Sequence, residues 1–240
     1  MLNDANTGSS GSLYPCGRPL LDFPTPLNLI VLGATGSIGR QTLDLVRLNP
    51  ATFRVVGLSC QARVEEMTLI LDELARTFPD DPPPLVAITD ADAREAAADR
   101  RDWGDRLLPA GPAGLVELVE SAEKAHCLVN GLVGAVGLEP TLAAAWQGMR
   151  IALANKESLG VGGDLVRQAV QDGGAELLPV DSEHSAIAQC LSGRREQEIS
   201  RLILTASGGP FRQTPADQLA RVNLEQVLDH PTWDMGPKIT

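Results

Sequence analysis

With 240 residues, of which 43% are hydrophobic and 21% charged, the chain has the composition of an ordinary globular protein and can form one large domain, or one domain and part of another. Its formal net charge of −11 opposes nucleic-acid binding, because such surfaces neutralise phosphates with clustered lysine and arginine. The four cysteines are far apart and show no spacing typical of zinc or redox sites, which fits a reducing, cytoplasmic environment.

The first 26 residues contain neither a basic start nor a long apolar run, so the sequence predicts no signal peptide and no membrane span there. Their composition, as in NTGSSGSLYPCGRPL, indicates a flexible extension over residues 1–26. We therefore expect no membrane partner.

From Leu27 onward, short apolar or β-branched runs alternate with helical stretches. The predicted strands, in chain order, are LNLIVLG, FRVVGLS, LVAIT, HCLVNGLVG, RIALAN and ELLPVD. The predicted helices are SIGRQTLDLVRLNP, VEEMTLILDELART, DAREAAADRRDWGDRL, LEPTLAAAWQGM and LVRQAVQDGG. Elements that alternate in this way form a parallel sheet with helices on both faces. The sequence therefore predicts an α/β fold with a doubly wound, Rossmann-like sheet.

The turn after the first strand, GATGSIG, contains Gly33, Gly36 and Gly39. Glycines allow a tight turn and let backbone amides approach a pyrophosphate, whose charge the following helix N-terminus favours. The order of strand, turn and helix predicts a dinucleotide site. The spacing is wider than in the common fingerprint, and a glycine turn formed only for packing is the alternative.

After the second strand, an NAD-type site usually has an acid that binds the ribose hydroxyls. This chain has CQARVEE instead, with Arg63 near that position and no acid before Glu65. A cation there favours the 2′-phosphate of NADP, so the sequence predicts NADPH. A solvated Arg63 in the first turn of a helix is the alternative.

The segment LLPVDSEHSAIAQC has Asp181 and Glu183 on either side of Ser182. In an extended backbone, side chains two residues apart point to the same side, and two acids at one spot need a cation or a proton between them. These acids therefore indicate a metal site. Alternatively, Asp181 or Ser182 caps a helix, with Glu183 in its first turn.

Five motifs, in order, make the chain similar to the 1-deoxy-D-xylulose 5-phosphate reductoisomerase family: GATGSIG, VGAVGLEPTLAAAWQGMRIALANKESL, LLPVDSEHSAIAQC, TASGGPFR and HPTWDMGPKIT. The resemblance implies an enzyme of non-mevalonate isoprenoid biosynthesis that uses NADPH and Mg²⁺ or Mn²⁺. Its reaction would rearrange and reduce 1-deoxy-D-xylulose 5-phosphate to 2-C-methyl-D-erythritol 4-phosphate. It also implies an NADPH-binding domain at 27–176 and the first part of an α+β catalytic domain at 177–240.

The resemblance implies roles for individual residues. Asp181 and Glu183 would ligate the metal, and Ser182 would contact the sugar-phosphate substrate. The implied NADPH contacts, besides Arg63, are Thr35, Gly36, Ser37, Ile38, Asn155, Glu157 and Gly236. The other implied catalytic or substrate residues are Lys156, Ser207, His230 and Trp233, of which the last two would belong to a lid. The remaining histidines, His126 and His184, are expected to be structural.

The chain departs from the family in two places that matter for function. Gln61, Ala62 and Arg63 stand where members commonly have a glycine-containing turn with Lys or Asn. The family continues beyond GPKIT into a segment with a further serine, an Asn-Lys pair for the substrate phosphate and a third metal-binding carboxylate. We therefore expect little turnover from these 240 residues by themselves and a homodimer at full length. A non-catalytic NADP-binding module and an unrelated dehydrogenase are the alternatives.

Overall fold

A parallel sheet of six strands organises the computed structural model, which describes residues 24–100, 103–122, 124–206 and 208–229. The strands are β1 (Leu27–Leu32), β2 (Phe53–Cys60), β3 (Leu85–Ile88), β4 (Cys127–Asn130), β5 (Arg150–Leu153) and β6 (Glu176–Pro179). Their order is β3-β2-β1-β4-β5-β6, and all five pairings are parallel. All six predicted strands are present, which confirms the predicted α/β fold.

Helices follow the strands along the described chain. They are α1 (Ser37–Leu48), α2 (Val64–Thr77), α3 (Ala91–Arg100), α4 (Pro112–Ser121), α5 (Leu138–Trp146), α6 (Glu157–Gly173), α7 (Ser182–Leu191) and α8 (Leu224–Leu228). Helix α4 lies in a segment to which the sequence analysis assigned no element, and α6 begins eight residues before the predicted LVRQAVQDGG. None of the described helices is long and apolar enough to cross a bilayer.

The two faces of the sheet bury separate hydrophobic clusters. Along β1, Leu29 and Val31 belong to the cluster that also contains buried residues of α1, α2 and α3. Ile30 and Leu32, which alternate with them, belong to the cluster formed with α4, α5 and α6. Because successive side chains of a strand point to opposite faces, this division shows helices packed on both sides of β1. Coverage on both faces explains why most strand residues are apolar in the sequence.

Helix α6 is bent at Gly162, whose φ of −136° and ψ of 33° are not helical. A Cβ atom at this position would lie 2.8 Å from Cδ1 of Leu138 in α5. The bend, and the absence of a side chain at Gly162, therefore allow α5 and α6 to pack closely. Such glycines weaken the helical pattern of a sequence without preventing the helix.

The chain divides into two compact units, Met1–Ile199 and Ser200–Thr240. The first contains the whole sheet, including β6, and helix α7. In the second, α8 begins with a capping box in which Asn223 and Gln226 exchange hydrogen bonds between side chain and backbone. The functional domain boundary between residues 176 and 177 stays a prediction.

His126 is part of the hydrogen bonding that joins the start of β4 to β1. The amide of Asn28 donates to His126 Nδ1 at 2.9 Å, and the amide of His126 donates to the carbonyl of Asn28 at 2.9 Å. Burial lowers the pKa of His126 below its ordinary value. The unfolded chain therefore binds a proton at His126 more readily than the folded chain does.

We expect His126 to reduce the free energy of unfolding as the pH falls below about 6.5, its ordinary pKa in an unfolded chain. Above that value His126 is neutral in both states, so its contribution is fully present there. Urea unfolding at about pH 7.5 and about pH 5.5 should show a smaller acid-induced loss in His126→Asn, which keeps an acceptor but does not titrate in this range. An unchanged pH dependence in His126→Asn would contradict this role.

Candidate functional site

The order of the strands places a topological switch point between the carboxyl ends of β1 and β4, and the region just outside it is called the crevice below. From β1 the chain proceeds outward to β2 and β3, and it then returns to β4 on the other side of β1. In open parallel sheets, ligands bind at such a point, where the order of the strands reverses. The segments that follow β1, β4, β5 and β6 all lie at this edge of the sheet because the strands are parallel.

The glycine turn after β1 forms one wall of this crevice. Gly33 has a φ of +74°, and its amide donates to Ser59 Oγ at 3.1 Å. Gly36 is the N-cap residue of α1, without a side-chain cap, and its amide donates to the carbonyl of Gly33 at 2.9 Å. A Cβ atom on Gly39 would overlap the backbone of Gly33 and Ala34. The start of α1 can therefore lie directly against the turn, as a backbone phosphate site requires.

Two arginines lie at the outer side of this turn. The carbonyl of Thr35 accepts from Arg40 Nε at 3.1 Å and from Arg63 Nη1 at 3.2 Å. Glu66 pairs with both guanidinium groups, at 3.6 Å from Arg63 and at closer range from Arg40. The Arg63 side chain is 61% exposed and lies at the N-cap position of α2. Arg40 was not among the predicted site residues; its place one residue after the GATGSIG motif was the available signal.

A buried polar network supports the opposite wall, the loop after β4. Asn130 Nδ2 donates to the carbonyl of Gly137 at 3.0 Å and to Thr141 Oγ1 at 2.9 Å. Its Oδ1 accepts from the amide of Leu132 at 3.1 Å. Asn130 and Thr141 are fully buried. This loop touches the first wall, since a Cβ atom on Gly33 would lie 3.0 Å from the carbonyl oxygen of Gly131.

Asn155, which follows β5, extends the same network. Its Nδ2 donates to the carbonyls of Leu132 and Gly134, both at 2.9 Å, and its Oδ1 accepts from the amide of Ser158 at 3.1 Å. Ser158 Oγ also donates to this oxygen. The Asn155 side chain is 0% exposed. In this structure the side chain therefore positions the loop, and its predicted contact with NADPH stays a prediction.

The segments after β5 and β6 bring a lysine and two acids together. Lys156 Nζ donates to Asp181 Oδ2 at 2.8 Å, and His184 Nδ1 lies 3.7 Å from Asp181 Oδ1. Asp181 is the N-cap residue of α7, but its side chain makes no capping hydrogen bond. Glu183 lies in the first turn of that helix. The carboxylate of Asp181 is thus available for Lys156 rather than used to cap the helix.

The pKa of Asp181 is lowered by its neighbours. Burial alone would raise the pKa, because it disfavours the charged form. Hydrogen bonds with the Lys156 and Glu183 side chains, together with the positive charges of Lys156 and His184, outweigh burial and hold the pKa of Asp181 below its ordinary value. A carboxylate that is charged and close to a second acid is suited to bind a cation.

The structure gathers most of the predicted residues at this one edge, on the glycine turn, at the start of α6 and at the start of α7. Ser182 is exposed at the first position of α7, and Glu157 Oε2 accepts from Asn155 Nδ2 at 3.2 Å. The predictions at Ser207, His230, Trp233 and Gly236 lie outside the described residues. Within the described part, no group of three or more His, Cys, Asp or Glu side chains could hold a metal ion.

Two models of one known protein family match most of the chain. The family model for 1-deoxy-D-xylulose 5-phosphate reductoisomerase matches residues 29–163, and the model for the C-terminal domain of that enzyme matches residues 177–240. The chain belongs to the 1-deoxy-D-xylulose 5-phosphate reductoisomerase family. The resemblance inferred from the five sequence motifs is thereby confirmed.

Individual reductoisomerases show the same relationship. The chloroplastic enzyme of Oryza sativa subsp. japonica is 45% identical over 228 residues, which are 93% of this chain and 46% of that protein. The enzyme of Mycobacterium marinum is 47% identical over 214 residues, 89% of this chain and 49% of that protein. The chain thus spans about half the length of the curated relatives it matches.

Solved reductoisomerase structures share the fold. One, a complex with NADPH, fosmidomycin and magnesium, has a TM-score of 0.73 and 36% identity, and the match covers 88% of this chain and 52% of that one. The Zymomonas mobilis enzyme in complex with NADPH also has a TM-score of 0.73, with 37% identity over 86% of this chain and 52% of that one.

Proposed function

We propose that the chain forms the cofactor-binding part and the first metal-binding part of an NADPH- and divalent-metal-dependent 1-deoxy-D-xylulose 5-phosphate reductoisomerase. One observation carries the proposal: the glycine turn, Lys156 and the acids Asp181 and Glu183 lie at the same edge of the sheet. The related structures that hold NADPH and magnesium support it. A sugar-phosphate substrate, a homodimer and a cytoplasmic location are part of the same proposal.

The wall formed by the glycine turn fits NADPH. The amides of Ser37 and Ile38 lie in the first turn of α1, where the helix favours an anionic group, so they would hold the pyrophosphate, with Thr35 and Gly36 lining it. Arg63 would hold the 2′-phosphate, since its guanidinium is exposed at the end of β2 and within reach of the turn. Arginine is suited to this role because its planar group can bind a phosphate with two hydrogen bonds.

The pair Asp181 and Glu183 fits a divalent cation of the Mg²⁺ or Mn²⁺ type. Two carboxyl groups that interact as these do need a proton or a cation between them, and carboxylate oxygens are the ligands that hard cations prefer. When bound, NADPH supplies a hydride and the metal ion polarises the substrate oxygens. Lys156, which contacts Asp181, and Ser182, which lies between the two acids in the sequence, would orient the substrate through hydrogen bonds.

The proposal predicts that the chain binds NADPH more tightly than NADH and that Arg63→Gln removes most of the difference. A charge-assisted contact to the 2′-phosphate contributes about 1.5–3 kcal/mol, so the ratio of the two affinities should fall by about tenfold or more in the variant. Titration of each dinucleotide, followed by its fluorescence, measures both dissociation constants.

Arg167→Gln is the matched control, because Arg167 is exposed, pairs with Asp164 within α6 and loses the same charge. It should keep the parent's preference for NADPH. Equal affinities for NADPH and NADH in the parent, unchanged in Arg63→Gln, would refute the assignment of the 2′-phosphate site. An absence of saturable binding of either dinucleotide would refute the cofactor-binding function itself.

A further inference from the structure

The ion pair between Lys156 and Asp181 is fixed by the sheet. Lys156 comes three residues after Leu153 of β5, and Asp181 comes two residues after Pro179 of β6, the residue paired with Leu153 in the parallel register. The amide of Val180 donates to the carbonyl of Leu153 at 2.9 Å, which extends the pairing toward Asp181. The two charged side chains therefore meet because neighbouring strands end side by side, and not through a chance contact of mobile surface groups.

The surroundings of Asp181 strengthen this contact. The Asp181 side chain is 18% exposed and that of Lys156 is 37% exposed, so water screens the pair less than it screens an open surface pair. The amides of Leu159 and Gly160 both donate to the carbonyl of Lys156 at 3.1 Å, which fixes the lysine backbone at the start of α6. The ammonium group therefore occupies the Oδ2 side of the carboxylate as a defined partner.

We infer that Lys156 is an internal counter-ion of the metal site: its ammonium competes with the divalent cation for Asp181, and metal binding releases it toward the substrate. This inference rests on the proposed function, because it assumes that Asp181 is a metal ligand. A divalent ion on the carboxylate would stand next to the ammonium, and like charges in a partly buried site repel each other. The positive charge of Lys156 would thus offset the negative charge of the acids until a metal ion binds.

The inference predicts that removing Lys156 strengthens metal binding, which is the opposite of what losing a stabilising residue would do. If the lysine merely stabilised the site, its loss would weaken metal binding by disordering Asp181. If it competes, Lys156→Gln should bind Mn²⁺ about five- to tenfold more tightly than the parent, at the lower end of typical coupling between two bound groups. Electron paramagnetic resonance of free Mn²⁺ during a titration of the 240-residue chain measures this affinity directly.

Three variants control the experiment. Lys156→Arg keeps the positive charge and should bind Mn²⁺ about as the parent does. Arg167→Gln loses one positive charge away from Asp181 and should also match the parent. Asp181→Asn removes the proposed ligand and should weaken Mn²⁺ binding strongly. NADPH affinity, measured in each variant, reports whether the sheet and the glycine turn remain folded.

A second measurement uses the unaltered chain and does not depend on how the variants fold. The described lysines are Lys124, which is exposed, and Lys156. An amine-reactive reagent followed by mass spectrometry should modify Lys156 faster when Mn²⁺ is present, because its ammonium has left Asp181. Lys124 should react at the same rate with and without Mn²⁺.

The outcomes separate this inference from the proposed metal site. Saturable Mn²⁺ binding that is equal or weaker in Lys156→Gln, with no change in the labelling of Lys156, would overturn the competition and leave the metal site in place. Absence of saturable Mn²⁺ binding in the parent and in Lys156→Gln would overturn both. Tighter binding in Lys156→Gln together with parent-like binding in Lys156→Arg would support competition by charge.

Discussion

Gly39→Ala is expected to lower the free energy of unfolding by about 1–3 kcal/mol or more and to weaken NADPH binding by at least about tenfold. A Cβ atom on Gly39 would overlap backbone atoms of Gly33 and Ala34, which cannot rotate away as the end of a flexible side chain can. Helix α1 must then move away from the turn, and the amides at its start move with it. Chemical denaturation and NADPH titration measure the two effects.

Gly160→Ala is the matched control for this substitution. Gly160 also lies near the start of a helix, is exposed, and has no atom within 4 Å of the position of an added Cβ. Because alanine favours helices over glycine by about 1 kcal/mol, the control should be neutral or slightly stabilising and should keep the parent's NADPH affinity. If Gly39→Ala had the same free energy of unfolding and the same NADPH affinity as the parent, close packing of α1 against the turn would not be needed for the site.

Asn155→Ala is expected to lower the free energy of unfolding by about 2–4 kcal/mol, because it leaves buried groups of Ser158 and two partly buried carbonyls without a partner. The carbonyls of Leu132 and Gly134 would lose their donor, and the amide and hydroxyl of Ser158 would lose their acceptor. Urea unfolding measures the loss. The loop after β4 should also become more mobile, which amide hydrogen exchange at Leu132 can detect.

Asn49→Ala provides the comparison for this prediction. Asn49 ends α1, and its side chain donates to the carbonyl of Leu45 at 2.9 Å, but it is exposed and water can replace the lost contact. Its loss should therefore change the free energy of unfolding by about 1 kcal/mol or less. If the two variants have the same free energy of unfolding, the Asn155 hydrogen bonds contribute less to stability than their burial implies.

The sheet could be predicted from the sequence because its strands, apart from the half-buried β6 at the end of the strand order, are largely buried on both faces. Runs such as LNLIVLG and FRVVGLS are mostly apolar, and their alternation with helices leaves a parallel order as the expected arrangement. Helix α4 was missed because Gly111 and Pro112 at its start resemble a loop and because its short apolar run, LVELV at 115–119, does not distinguish a helix from a strand. The first half of α6 was missed because Gly160, Gly162 and Gly163 interrupt it.

The candidate site could be predicted where its residues directly follow predicted strands. The glycine turn, Lys156 and the acids at 181 and 183 each follow a predicted strand, so their common edge was accessible to sequence reasoning. The buried hydrogen-bond network could not be predicted from the sequence, because Asn130 and Asn155 lie at the ends of different strands and come together only after the sheet has formed. The pairing of Lys156 with Asp181 depends in the same way on the register between β5 and β6.

The contact between the two walls of the crevice restricts how this region can change during evolution. The backbones of Gly33 and Gly131 lie close together, and the Asn155 side chain donates hydrogen bonds to the carbonyls of Leu132 and Gly134. An added or deleted residue between β4 and α5 would displace the loop from its fixed partners, so the length of this connection should tolerate no insertions. The proline-rich connection at 78–84, between α2 and β3, lies at the other end of the sheet and has no such constraint from the crevice.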